Sequence, residues 1–155
     1  MAFNVQRSLG RVALPQPEIL KWPLSHARLP SVVVNATGVS ADVGGPYDGR
    51  RYLLAGTILT KRGDGQYEKY TDAVGQDDVN LAILFRTTEF ADGTDKSDKP
   101  VAIIDALSNG TDFDKSKIIG YATAGIQTNL LAAFGATVLS GSGATAVAKG
   151  RNNFE

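Results

Sequence analysis

Apolar residues along this chain fall into two regimes. Over residues 1–30, Phe3, Val5, Leu9, Val12, Leu14, Ile19, Leu20, Trp22, Leu24 and Leu29 follow neither the alternation of a strand nor the three-to-four spacing of a helix face. From about Tyr52 onward the apolar residues gather into short runs separated by turn residues. In the first regime, Pro15, Pro17, Pro23 and Pro30 each remove a backbone donor and push the residue before them out of the α region, so an extended arm is expected. This arm is too apolar for a flexible linker. Two readings of it stand: strand addition to the sheet edge of a partner, with alternate side chains filling pockets, or wrapping over its own domain.

The second regime predicts strands. Val32-Val33-Val34 is a short β-branched run, followed by a loop over Gly38 to Gly49 that contains Gly44-Gly45-Pro46 and Asp48-Gly49. Tyr52 to Thr60 is apolar on both parities, which predicts one strand covered on both faces. Arg62-Gly63-Asp64-Gly65 turns it toward Gln66 to Tyr70, the clearest hairpin in the chain. Acidic loops over Thr71 to Asp78 and Glu89 to Lys99 lead to buried strands over Val79 to Phe85 and Pro100 to Leu107. Asn109-Gly110 marks a turn, and Phe113 to Ile119 fits a short helix or a strand equally. Gln127 to Gly135 predicts a helix, with Ile126, Leu130, Leu131 and Phe134 near helical spacing and Gly135 placed as its C-cap. A last strand over Ala136 to Leu139 precedes a tail rich in Gly, Ser and Ala. The expected fold is mainly β with minor α (α+β), one domain over 31–155 behind an arm over 1–30.

Composition narrows the chemistry. A chain of 155 residues makes one domain of ordinary size, burying roughly 70% of its unfolded surface. Its 16 basic and 16 acidic residues cancel, which removes the basic footprint of a nucleic-acid binder. With no cysteine, disulfides, thiolate metal sites and thiol nucleophiles are excluded. The N-terminus lacks a signal-peptide pattern and no segment approaches the ~20 apolar residues of a membrane span, so a soluble chain made in the cytosol is expected.

Each short functional motif weakens in context. Gly141 to Ala146 matches the dinucleotide fingerprint, but only nine residues follow, too few for the helix, strand and ribose-binding acid that it requires. Arg62-Gly63-Asp64 spells an adhesion tripeptide in residues that a tight hairpin turn requires in any case. Asn35-Ala36-Thr37 and Asn109-Gly110-Thr111 are formal glycosylation acceptors without a signal peptide. Asp92, Asp95 and Asp98 recur at every third position but lack the distal bidentate acid of a calcium loop, and Asp72, Asp77 and Asp78 read the same way. His26 is the sole histidine and sits in the arm, which leaves a histidine triad or zinc site little to stand on. Arg50-Arg51-Tyr52 and Lys61-Arg62 read as exposed strand ends and turn residues, with Tyr52, Tyr67 and Tyr70 packing across strands. No enzyme, cofactor or metal is expected.

The order of segments resembles the head decoration (capsid-stabilising) proteins of tailed phages, of the lambda type. The resemblance lies in Ala55 to Thr60, the tyrosine-ended Gln66 to Tyr70, Asn80 to Phe85 after an acidic loop, and Pro100 to Leu107 before Asn109-Gly110, and covers roughly residues 50 to 135. It implies a compact β domain that assembles as a homotrimer on the exterior of an expanded capsid. Its N-terminal arm would add a strand to the major capsid protein, so that the shell is cemented. The implied localisation is the virion, after synthesis in the host cytoplasm, with no nucleic-acid or membrane partner. Val12, Leu14, Ile19, Leu20 and Trp22 are the large apolar candidates for capsid-binding anchors. The chain departs from the family in a longer arm-to-domain connection and a Gly-rich C-terminal extension. The alternatives are a small β-barrel ligand-binding module or enzyme, with a pocket where Asp72, Asp77, Asp95 or Asp112 converge, and another virion part such as a tail or spike-base domain.

Overall fold

A computed structural model describes residues 13–19, 29–90, 98–105, 113–134 and 139–140. They are mainly β with one α-helix, as the runs and turns predict. The strands are β1 (Ser31–Val34), β2 (Arg51–Leu53), β3 (Ile58–Lys61), β4 (Tyr67–Lys69), β5 (Leu81–Leu84), β6 (Thr88–Phe90), β7 (Lys99–Asp105), β8 (Phe113–Asp114) and β9 (Leu139–Ser140), and the helix is α1 (Ala124–Phe134). Five of the strands close a barrel in the order β1-β4-β3-β5-β7. β2 and β6 form a separate antiparallel ribbon, and β8 and β9 a short parallel pair.

The predicted hairpin is present: β3 turns into β4 with Gly65 N donating to Arg62 O at 3.0 Å and Arg62 N to Gln66 O at 2.8 Å. The continuous strand expected over Tyr52 to Thr60 is instead two strands in different sheets. Between β2 and β3 the chain turns through Leu54 to Gly56, and Thr57 donates to Leu54 O from both its N (3.0 Å) and its Oγ1 (2.7 Å). Gly56 lies at φ +90°, and a Cβ there would stand 2.2 Å from the Lys117 carbonyl oxygen. Apolar residues continue through this break because both strands and the turn are buried, so periodicity alone hides it. Phe113 to Ile119 resolves as the two residues of β8 followed by a 3-10 turn over Lys115–Lys117. β6 occupies the start of the second acidic loop, where the sequence pattern predicts no strand.

Two apolar layers account for strands buried on both parities. Val34, Leu59, Ala82, Leu84, Val101 and Ile103 come from β1, β3, β5 and β7 and pack as one cluster, to which Tyr67 of β4 adds, so this set fills the barrel. Leu53 and Phe90 of the β2–β6 ribbon close over it. The opposite parity of β3, β5 and β7 presents Ile58, Leu81, Ile83 and Ile104 outward, where Ile126, Leu130 and Phe134 of α1 cover them. That i, i+4, i+8 stripe lets one helix cover three strands. α1 begins at Ala124, three residues before the predicted Gln127, with Gln127 N donating to Thr123 O at 2.9 Å. Gly135 and residues 136–138 lie outside the described residues.

The barrel closes unevenly. β3–β4, β3–β5 and β5–β7 each pair over three residues and β1–β7 over four, whereas β1 and β4 meet in parallel at a single pair, Val34 and Tyr67. Side chains complete this join. Asn35 N donates to Tyr67 O at 2.8 Å and Asn35 Nδ2 to Gln66 Oε1 at 2.7 Å, while the Asp98 carboxylate accepts from Ala36 N at 3.0 Å and Gln66 Nε2 at 2.7 Å. On the outer wall beside this join, Val33 is 41% exposed and its β7 partner Pro100 is exposed.

Candidate functional site

The described part of the N-terminal arm lies on its own domain. Ile19 is only 1% exposed and packs in the outer core layer with Ala55, Ile58 and Ile118, and its carbonyl accepts from Asp114 N at 2.9 Å. Upstream, the Gln16 side-chain amide pairs with the Thr87 backbone at two points: Thr87 N donates to Gln16 Oε1 at 3.0 Å, and Gln16 Nε2 to Thr87 O at 3.3 Å. Thr87 Oγ1 donates to Pro15 O at 2.6 Å and accepts from Ala55 N at 3.0 Å.

Ile19 is therefore corrected from a partner-facing anchor to a core residue of its own chain. Leu14 is half-buried in the same segment, while Val12, Leu20 and Trp22 lie outside the described residues. At the boundary expected near residue 30, Pro30 O accepts from Ile103 N at 3.0 Å, which extends the β1–β7 pairing by one bond. Among the described arm residues only Ile19 is buried, and a single buried side chain has no period to show in the sequence. The signal that remains is an isolated large apolar residue set among prolines.

The first acidic loop converges only in part. Tyr70 Oη lies 2.6 Å from Asp78 Oδ1 and 3.0 Å from Asp72 Oδ1, and accepts from Asn129 Nδ2 at 2.7 Å. Asn129 Nδ2 also reaches Asp72 Oδ1 at 3.1 Å. Asp72 sits at φ +60°, which aspartate tolerates better than most side chains, and a Cβ on Gly125 of α1 would meet its Oδ2 at 2.1 Å. Burial above all, and then the bond to Asp78, push the Tyr70 hydroxyl well above the ordinary phenol range, against the opposing Asn129 donor. Held neutral, it ties β4, the loop and α1 together. Asp77 does not join this cluster. Its carboxylate accepts from Asn80 Nδ2 (2.6 Å), Val79 N (2.8 Å) and Asn80 N (3.1 Å), and those bonds, Asn80 Nδ2 first, hold it below the usual carboxylate range. Asp95 and Asp112 lie outside the described residues, as do His26, Asn109 and Gly141 to Ala146.

Of the basic residues expected at exposed strand ends and turns, Arg50 and Arg51 are buried, whereas Lys61 is exposed and Arg62 partly so. Arg50 grips Glu89 at two points, Nε to Oε1 and Nη2 to Oε2, both 2.9 Å. Arg51, 6% exposed, donates from Nε to Val39 O at 2.7 Å and from Nη2 to Ala36 O. The backbone carbonyls of Ala36 and Val39 create the demand that Arg51 meets, which local sequence does not display. Arg62 and Asp64 at the hairpin tip pair with each other at 3.2 Å, and Arg62 also meets Glu68 at 3.3 Å. The tripeptide serves as the turn. Of the three tyrosines expected to pack across strands, Tyr70 is buried in the outer layer, Tyr67 packs against the interior set, and Tyr52 donates to Asp42 Oδ2 at 3.1 Å and stacks edge-on with Tyr47 at 5.7 Å.

A groove of about 380 Å³ is lined by Lys115, Ser116, Ile118, Gly120, Tyr121 and Ala122, with no carboxylate or histidine in its wall. Among the described residues no group of three or more His, Cys, Asp or Glu side chains is placed to hold a metal ion, and no helix is long and apolar enough to cross a membrane. Comparison of the chain with protein-family models, with curated proteins and with solved structures returns no match.

Proposed function

We propose that this chain is a structural virion protein that binds the outer surface of an expanded capsid as a trimer and stabilises the shell. The observation that carries the reading is the order of segments. Ala55 to Thr60, Gln66 to Tyr70, Asn80 to Phe85 and Pro100 to Leu107, the runs that resemble lambda-type decoration proteins, supply β3, β4, β5 and β7 of one barrel. The exposure of Val33 and Pro100 on the outer wall supports the trimer, because among the described residues α1 packs on the outward Ile58, Leu81, Ile83 and Ile104 and not on this pair. Stabilisation follows from mass action: a protein that binds only the assembled lattice favours it by its binding free energy. Three linked contacts raise avidity above that of one.

The test is co-sedimentation of the purified protein with empty expanded shells assembled from tailed-phage major capsid protein, with its mass measured alone at micromolar concentration. The expected result is a trimer that saturates the shells and raises their melting temperature. A monomer that leaves the shells bare overturns the reading.

A further inference from the structure

Residues 42–49 form a loop that its own hydrogen bonds hold in shape. Asp42 N donates to Arg50 O at 2.8 Å and Gly49 N to Asp42 O at 2.9 Å, which closes the two ends, and Gly44 N donates to Asp48 Oδ1 at 2.7 Å across the interior. The Asp42 carboxylate accepts from Val43 N and from Tyr52 Oη, both at 3.1 Å, and so anchors the loop to β2. On this frame Val43 is 90% exposed, beside Asp42 and the exposed Asp48. An apolar side chain held out on a pre-organised loop loses little freedom when it binds, which suits it to be an anchor.

The groove of about 380 Å³ before α1 has the complementary character. Ile118, Gly120, Tyr121 and Ala122 give it apolar walls, Lys115 is its charged lining residue, and Lys117 and Ile119, both exposed, lie between these in the chain. The neighbouring carboxylate of Asp114 is turned onto Ser116, accepting from its N at 3.0 Å and its Oγ at 2.6 Å. Tip and groove lie off opposite ends of β2. The loop closes against Arg50 at one end, and past the other Gly56 approaches the Lys117 carbonyl and accepts from Ile119 N at 3.0 Å. Val74 and Val79 are exposed as well, but Asn129 of α1 holds Asp72 of their loop at 3.1 Å, on the side of the groove itself.

We propose that copies of this chain join head to tail, with the Val43 tip of one copy seated in the groove of the next and the acidic flanks of the tip facing Lys115 and Lys117. A basic, apolar groove and an acidic, apolar tip at opposite ends of one strand favour a second copy as the occupant. Contact between two different patches builds a ring when the rotation at each step closes, and three steps give a trimer. The inference rests on the trimer part of the proposed function and does not use the capsid part.

Mass measurement on full-length variants tests the contact. Val43→Ser removes the tip and Ala122→Glu blocks the groove, and since both residues are exposed each variant should keep the circular dichroism of the wild type. Each alone should need about tenfold more protein than the wild type, or more, to associate. Mixed, they should form a dimer and stop there: the intact tip of the Ala122→Glu copy fits the intact groove of the Val43→Ser copy, and the tip and groove left over are both spoiled. Lys115→Glu should weaken association at low salt and do so less at about 1 M salt, where the Debye length falls to about 3 Å. Variants that stay trimeric at the wild-type concentration overturn the contact and leave the trimer standing. Variants that dissociate separately and still fail to pair when mixed at roughly ten times that concentration overturn it too. A monomeric wild type overturns the contact together with the trimer, and co-sedimentation with expanded shells then decides the capsid reading by itself.

Discussion

The wall formed by β3, β5 and β7 and the join between β1 and β4 hold the same barrel shut by different physics. The wall pairs over three residues at each step, is apolar inside and out, and is covered by α1 and Ile19. The join has one backbone pair and depends on Asn35, Gln66 and Asp98 side chains at the surface. Burying a large aliphatic side chain is worth about 1.5–3 kcal/mol, whereas a hydrogen bond nets about 0.5–1.5 kcal/mol and less where water competes. The wall should therefore set global stability. The join should set where, and at what pH, the barrel first opens.

The largest effect should come from Gly56→Ala, on the wall side. Its φ of +90° disfavours any L side chain, and the obstacle 2.2 Å away is the Lys117 backbone carbonyl, which cannot rotate aside. A loss of more than about 3 kcal/mol is expected in urea denaturation. A loss under about 1 kcal/mol would mean that the turn between β2 and β3 relaxes freely.

Next come Leu84→Ala inside the barrel and Leu130→Ala in the layer over it, both residues fully buried but in separate clusters. Each should cost about 2–5 kcal/mol. If the two layers are energetically independent, the double variant should equal the sum of the singles within about 0.5 kcal/mol, and a larger deviation would show that the sheet transmits strain between its faces.

What the sequence made readable follows the same divide. Runs over Val79 to Phe85 and Pro100 to Leu107, the hairpin at Arg62 to Gly65 and the stripe of α1 are local, and the β-rich fold with one helix follows from them. The break at Gly56, the burial of Arg50 and Arg51, and the place of Ile19 depend on partners 12 or more residues away: Lys117, Glu89, Val39, Ala36 and Asp114. No window of neighbouring residues contains that information. The acidic loops show both cases, since Asp77 caps its own turn while Asp72 and Asp78 meet Tyr70 and, through it, a helix residue far along the chain.

A smaller effect is expected from Tyr70→Phe, which removes the hydroxyl shared by the loop and α1 at a cost of about 1–2 kcal/mol at neutral pH. It should also change the alkaline limb. Burial raises the folded-state pKa of Tyr70, so its contribution is fully present below the unfolded value of about 10 and is lost as pH rises through the folded one. Melting between about pH 9 and 12 should fall less steeply in the variant. Tyr52 and Tyr67, also raised by burial, leave a residual slope.

The smallest effect, and the one that isolates the join, belongs to Asp98→Asn. Ala36 N first, and Gln66 Nε2 second, hold the Asp98 carboxyl below its ordinary range. A depressed folded-state pKa contributes stability that is present above the unfolded value of about 4 and is lost as pH falls through the folded one. Near neutral pH the amide keeps one acceptor oxygen, and this exposed site should shift Tm only slightly. Below about pH 4 the wild type gives up the bridge from Ala36 to Gln66 and the variant has no comparable charge to lose, so the variant's acid limb should be flatter. Asp77 is depressed as well, but by bonds within its own turn, so Asp77→Asn serves as the control. Both substitutions should flatten the limb, yet only Asp98→Asn should speed exchange at the Ala36 and Asn35 amides, which lie at the join. If acid accelerates exchange at Ala36 and at β5 amides together, the barrel opens as one unit and the β1–β4 join is no weaker than the wall.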